Sequence, residues 1–92
     1  MRVRYSEQAL ADIDAIAGYY GRVASPEIAG VVEARLRLAI RRISLAPDIA
    51  PKLVDRDFWA AAVPGLPYRI FYRSHGMELQ VIHIRHTSRR PF

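Results

Sequence analysis

Two helix signatures lie only a few residues apart in the first half of this chain, and no other feature narrows its fold so far. Ser25-Pro26-Glu27 supplies an N-cap, a proline at the first helical position and an acid in the first turn. Ala29, Val32, Leu36, Ala39, Ile40 and Ile43 then recur on one face, Glu33 stands four residues before Arg37, and Pro47 closes the segment. Upstream, Ser6 is placed to cap an earlier helix, with Glu7, Asp12 and Asp14 towards its positive end. Leu10, Ile13, Ala17 and Tyr20 form its apolar stripe, and Gly21 is expected to stop it. Helices joined so closely pack as an antiparallel hairpin, whose apolar face needs a second layer.

The remaining segments supply that layer. Met1, Val3 and Tyr5 alternate with Arg2 and Arg4, as in a short strand. Phe58 to Val63 is a strand weakened by Ala60-Ala61-Ala62, and Pro64-Gly65-Leu66-Pro67 is a strong turn signal. Tyr68-Arg69-Ile70-Phe71-Tyr72-Arg73 and Leu79 to His86 are rich in aromatic and β-branched residues, with a turn at Ser74-His75-Gly76. The predicted order is β-α-α-β-β-β. This is a two-layer α+β fold, with an N-terminal strand and a helical hairpin packed on a mainly antiparallel four-stranded sheet. With 92 residues there is core enough for one domain, covering 1–92.

Charge narrows the function. Thirteen of the fourteen Lys and Arg residues are Arg, and the formal net charge is +5. Guanidinium forks suit bidentate contacts to phosphate or carboxylate, although Arg and Ala are equally numerous here and both have GC-rich codons. Position separates the two explanations. From Tyr68 onward five Arg stand against Glu78 alone, a formal +4, whereas residues 1–27 sum to −1. If Tyr68, Ile70 and Tyr72 face the helices, Arg69, Phe71 and Arg73 face away. With Ile82 and Ile84 also in the core, Val81, His83 and Arg85 join the helix-free face, and Arg89 and Arg90 follow in the tail. Arg69, Phe71, Arg73, His83, Arg85, Arg89 and Arg90 are the candidate target-binding residues, since an open basic face bearing an aromatic suits a polyanion. The competing reading is an ordinary solvated sheet face.

With no cysteine, disulfides and thiolate metal sites are excluded, and neither a metal nor a cofactor is expected. Met1 to Glu7 has no apolar leader core and no stretch approaches a membrane span, so a cytoplasmic protein is expected.

The β-α-α-β-β-β order, the segment Val63-Pro64-Gly65-Leu66-Pro67-Tyr68-Arg69-Ile70-Phe71-Tyr72-Arg73 and the ending Val81-Ile82-His83-Ile84-Arg85-His86-Thr87-Ser88-Arg89 together resemble the RelE/ParE toxins of type II toxin–antitoxin systems. Ala9 to Ile16, Tyr19-Tyr20 and Ile43-Ser44-Leu45-Ala46-Pro47 match as well. The resemblance covers nearly the whole chain. It implies an antitoxin partner encoded alongside, and hence a hetero-oligomer. Tyr19, Tyr20, Leu38 and Trp59 are its candidate contacts, on apolar surface left by the hairpin and a sheet edge.

The same resemblance implies one of two activities. RelE-like members cut mRNA in the ribosome with basic residues on the strand after the helices, further arginines, and often a terminal Tyr. Here Arg69 and Arg89 match the arginines and His86 could act as acid or base, but Phe58-Trp59-Ala60-Ala61-Ala62 carries no lysine and Phe92 has no hydroxyl. ParE-like members poison DNA gyrase without known covalent chemistry. The residues favour the ParE-like branch. Its alternatives are the endonuclease and a non-toxic member that only binds an antitoxin-like peptide.

Overall fold

A computed structural model describes residues 1–49 and 58–88. Seven elements follow in order: β1 (Arg2–Tyr5), α1 (Glu7–Val23), α2 (Pro26–Leu45), a 3-10 turn (Pro47–Ile49), β2 (Trp59–Ala62), β3 (Tyr68–His75) and β4 (Glu78–His86). The expected order and two-layer α+β architecture are both present.

Local chemistry sets the helix boundaries. The Ser6 side chain accepts the Ala9 N–H at 2.9 Å, and Ser25 accepts the Ile28 N–H at 3.1 Å, each satisfying a donor that a helix start leaves orphaned. Gly21 does not end α1, which runs on to Val23. A Cβ on Gly21 would stand 3.9 Å from that of Ala29, so the glycine lies where the two helices cross and keeps a helical φ. The buried face of α1 is Ala9, Ile13 and Ile16, and Leu10 is exposed rather than part of the stripe. On α2, Val32, Leu36, Ala39, Ile40 and Ile43 are buried as the spacing implied.

The sheet order is β1-β4-β3-β2; β1 runs parallel to β4, and the other two pairings are antiparallel. The turn after β2 has Pro64 followed by Gly65 at φ +76°, and Leu66 N–H donates to Val63 C=O at 3.2 Å. That is the residue pattern of a type II turn, where the third position needs positive φ. One core joins the layers: Ile13, Leu36 and Ile40 from the helices meet Ile70, Tyr72, Leu79, Val81 and Ile84 from one face of the sheet. Each such side chain contributes roughly 1.5–3 kcal/mol by leaving water.

Tyr72 extends this core to the connection after α2. Fully buried, it stacks on Trp59 with ring centroids 6.4 Å apart and donates its hydroxyl to Pro47 C=O at 2.6 Å. Burial pushes its phenol up to about 12, and the charge of Asp48 adds to the shift. The unfolded chain ionises this phenol near its ordinary value of 10.0, so the neutral folded form contributes stability that is complete below that pH. The contribution falls as pH rises through about 12. Urea unfolding across the alkaline range should show the decline. Tyr72→Phe should cost about 1 kcal/mol near neutrality through the lost hydrogen bond and should remove this residue's share of the alkaline decline.

Candidate functional site

The site begins with a mismatch in strand length. β1 ends at Tyr5, opposite Val81, while β4 continues to His86, so the second half of β4 has lost its neighbour on that edge. The register also slips there: Phe71 pairs with His83 but Tyr72 pairs with Val81, leaving Ile82 as the extra residue of a β-bulge. Beyond a bulge the in–out alternation shifts by one. Leu79, Val81 and Ile84 therefore face the helices, and Ile82 is only partly buried outside that core. This corrects the assignment of Val81 to the helix-free face and of Ile82 to the core.

Groups at the start of α1 complete the abandoned edge. Ser6 N–H donates to Val81 C=O at 2.9 Å, and its hydroxyl donates to Ile82 C=O at 2.6 Å. Ile84 N–H donates to Asp12 Oδ2 at 2.9 Å. The same carboxylate oxygen binds Nδ1 of His83, and its other oxygen accepts from Gln8 Nε2 at 2.8 Å. Arg85 Nη1 lies 3.1 Å from His83 Nε2. A guanidinium can only donate, so Nε2 must accept and the ring proton sits on Nδ1, directed at Asp12. The result is a continuous chain of hydrogen bonds, Arg85 to His83 to Asp12, largely shielded from water at its Asp12–His83 end.

These residues line a cleft of about 470 Å³ between α1 and the second half of β4, with Tyr19, Tyr68 and His86 on its other walls. Ser88 N–H donates to His86 Nδ1 at 3.1 Å, which leaves the neutral ring's proton on Nε2. The ring meets Tyr68 edge-on at 5.6 Å. No group of three or more His, Cys, Asp or Glu residues that could hold a metal occurs among the described residues.

The sequence from residue 3 to residue 91 matches the family model described as the ParE toxin of the type II toxin–antitoxin system, parDE. The chain belongs to the ParE toxin family. Its fold is shared by solved structures, among them the following three. The chromosomal ParDE system from P. aeruginosa aligns with a TM-score of 0.85 at 19% identity, covering 94% of this chain and 95% of that one. The intact E. coli RelBE complex aligns at 0.67 with 20% identity, over 96% and 98% of the two chains. A YoeB/ParE toxin from Agrobacterium tumefaciens aligns at 0.63 with 17% identity, over 94% and 98%. No curated protein matches the chain.

Within this ParE-family fold the residues singled out from sequence scatter. Arg69 is exposed, directly across from Arg85, and Arg73 is exposed with its guanidinium carbon 4.9 Å from the centre of the Phe58 ring. Phe71 is on the helix-free side, outside the central core, yet only 2% exposed. That corrects its reading as an aromatic exposed on the open basic face. His83 and Arg85 are drawn to the β4 edge, and His86 lies with Tyr68 on the helix side. Arg89 and Arg90 lie outside the described residues.

Among the antitoxin candidates, Tyr19 and Leu38 are exposed, whereas Tyr20 and Trp59 are half-buried against the core. Tyr19, Trp59 and Leu38 line three separate hollows. Sequence reasoning missed Asp12, which it placed only as an acid near a helix start. No local signal ties Asp12 to residues more than seventy positions away.

Replacing Asp12 tests its role at the edge. Asp12→Ala strands the Ile84 N–H and the His83 ring, and each unsatisfied buried donor costs about 1–3 kcal/mol. Asp12→Asn keeps an acceptor for Ile84 and should cost less. Chemical denaturation of the two variants checks the order; equal losses would show that the edge hydrogen bond contributes little.

Proposed function

We propose that this chain, as a single domain over residues 1–92, is the toxin of a type II toxin–antitoxin pair that arrests growth by poisoning DNA gyrase, cuts no RNA, and is neutralised in the cytoplasm by a cognate antitoxin. Family membership supports the toxin assignment. One observation carries the choice of target. Of the residues a nuclease would use here, Arg69, Arg89 and His86, the first and the last occupy opposite faces of the sheet: Arg69 opens on the helix-free side, while His86 packs with Tyr68 towards the helices. That separation argues against their joint action on one phosphodiester, which acid–base catalysis with charge stabilisation requires. β2 offers no replacement, because Trp59-Ala60-Ala61-Ala62 carries neither a cation nor an acid. The target surface in this reading is the exposed Arg69 and Arg73, with Arg85 at its margin and His83 and the covered Phe71 behind; Arg89 and Arg90, outside the described residues, complete the set. Inducing the chain in growing cells should give DNA breaks with intact mRNA; codon-specific mRNA ends appearing within minutes would overturn this reading in favour of the ribosome-dependent endonuclease.

The antitoxin has a suitable seat on the outer side of α2. Ile28, Val31, Leu38 and Leu45 are 45%, 48%, 45% and 78% exposed. With Arg35 and Arg42 they stand at alternating spacings of three and four, the seam of a pairing helix. Two arginines in that seam oppose a second copy of the chain, whose own arginines would meet them, and favour a partner helix bearing acids opposite each. Replacing Arg42 with Glu should weaken antitoxin binding about tenfold or more, equivalent to about 1.4 kcal/mol, and leave toxicity intact. Arg69→Ala should do the reverse. Pull-down with the antitoxin and growth arrest, scored side by side, distinguish them; variants that lose both functions together would refute two separate surfaces.

A further inference from the structure

The cleft between α1 and β4 lies apart from the α2 seam and from the exposed Arg69 and Arg73, sharing only Arg85 and His83 with the margin of the open face, and its polar wall is unusually constrained. Both oxygens of Asp12 are engaged: Gln8 donates to one, and Ile84 N–H and His83 meet the other. No carboxylate among the described residues forms an ion pair with Arg85. One end of the guanidinium is fixed, because Nη1 donates to His83 Nε2 at 3.1 Å. Its Nε is buried with no hydrogen-bond partner. A buried donor in that state is costly unless an acceptor arrives, and a guanidinium held at one nitrogen is preorganised for an oxygen at the next.

The surroundings add to this. His86, whose neutral ring carries its proton on Nε2, lines the same cleft, as do the rings of Tyr19 and Tyr68. About 470 Å³ accommodates an anionic group together with the part of a ligand that carries it.

We propose that this cleft is an oxyanion-binding site, in which the Arg85 guanidinium takes one carboxylate or phosphate group and Asp12 and His83 act as positioning residues that hold the fork in place. The chain of proton donors gives the reason for an Asp–His pair at that point. Asp12 fixes the proton of His83 on Nδ1, so that Nε2 presents a lone pair to Arg85 rather than an N–H that would repel it. No bond is made or broken in the process.

The arginine Nε–H resonances of the ¹⁵N-labelled full-length chain report on this directly. Titration with sodium phosphate, and separately with sodium acetate at matched ionic strength, should move the Arg85 signal along a saturating curve, while Arg41, exposed on α2, barely responds. Tighter phosphate binding would identify a phosphate-bearing ligand, and tighter acetate binding a carboxylate-bearing one. Arg85→Lys keeps the charge but removes the fork, and should lower affinity at least tenfold. Asp12→Asn should lower it several-fold and change the ¹⁵N pattern that marks the His83 tautomer. A changed tautomer with unchanged affinity would overturn the positioning role. A linear, unsaturated response of Arg85, or one no larger than that of Arg41, would overturn the site itself. That comparison needs only the unmodified chain, so it decides the question even where the lysine variant fails to fold.

Discussion

Where β1 stops, one carboxylate takes over the work of a strand. The second half of β4 would otherwise present an unpaired edge next to the core, and backbone donors left that way are costly. Asp12 accepts the Ile84 N–H, and Ser6 covers the two carbonyls before it. Because both residues belong to the start of α1, the same bonds that close the edge also fix the helix against the sheet. Ser6 does both at once, capping α1 through Ala9 N–H while its hydroxyl donates to Ile82 C=O. The hairpin is thereby tied to β4 by polar contacts at one end and packed on it by Ile13 and Ile16 along its length.

The bulge at Ile82 makes this arrangement compatible with the core. Without the extra residue, the alternation that buries Leu79 and Val81 would turn Ile84 outward. With it, Ile84 is buried across from Ile70, and His83 and Arg85 come to the margin of the sheet, where Asp12 waits. A bulge beside a functional surface commonly serves to re-aim a side chain, and here it re-aims two. The basic character of the C-terminal half is accordingly divided. Arg69 and Arg73 remain on the open face, while Arg85 joins an inward-looking network.

In the proposed reading, specificity rests on the same separation of surfaces. A toxin that must meet a target and a neutralising partner benefits when the two contacts use different chemistry. The open face offers guanidinium groups suited to acidic groups, and the α2 seam offers aliphatic side chains interrupted by Arg35 and Arg42. The arginines in that seam lower its tendency to self-associate, a cost in hydrophobic burial that is offset only by a partner of opposite charge.

Everything governed by near neighbours is legible along the chain. Ser6 and Ser25-Pro26 announce the helix starts, the 3.6-residue spacing identifies the buried face of α2, and Pro64-Gly65 marks a turn whose positive φ only glycine tolerates cheaply. These are short-range effects of capping, periodicity and backbone sterics, and together they dictate the element order and the two layers. Gly21 shows the limit of that reading, since a residue that could end a helix instead lies within α1, beside Ala29 of the second helix. The site obeys longer-range rules. In Val81-Ile82-His83-Ile84 apolar residues occupy both parities, so alternation cannot say where an extra residue enters. Nor can local sequence show that β1 ends early against β4, which is what brings Asp12 to Ile84 and His83 across the length of the chain. Hydrogen bonds between residues that distant are set by how the layers dock, and docking depends on the whole core at once.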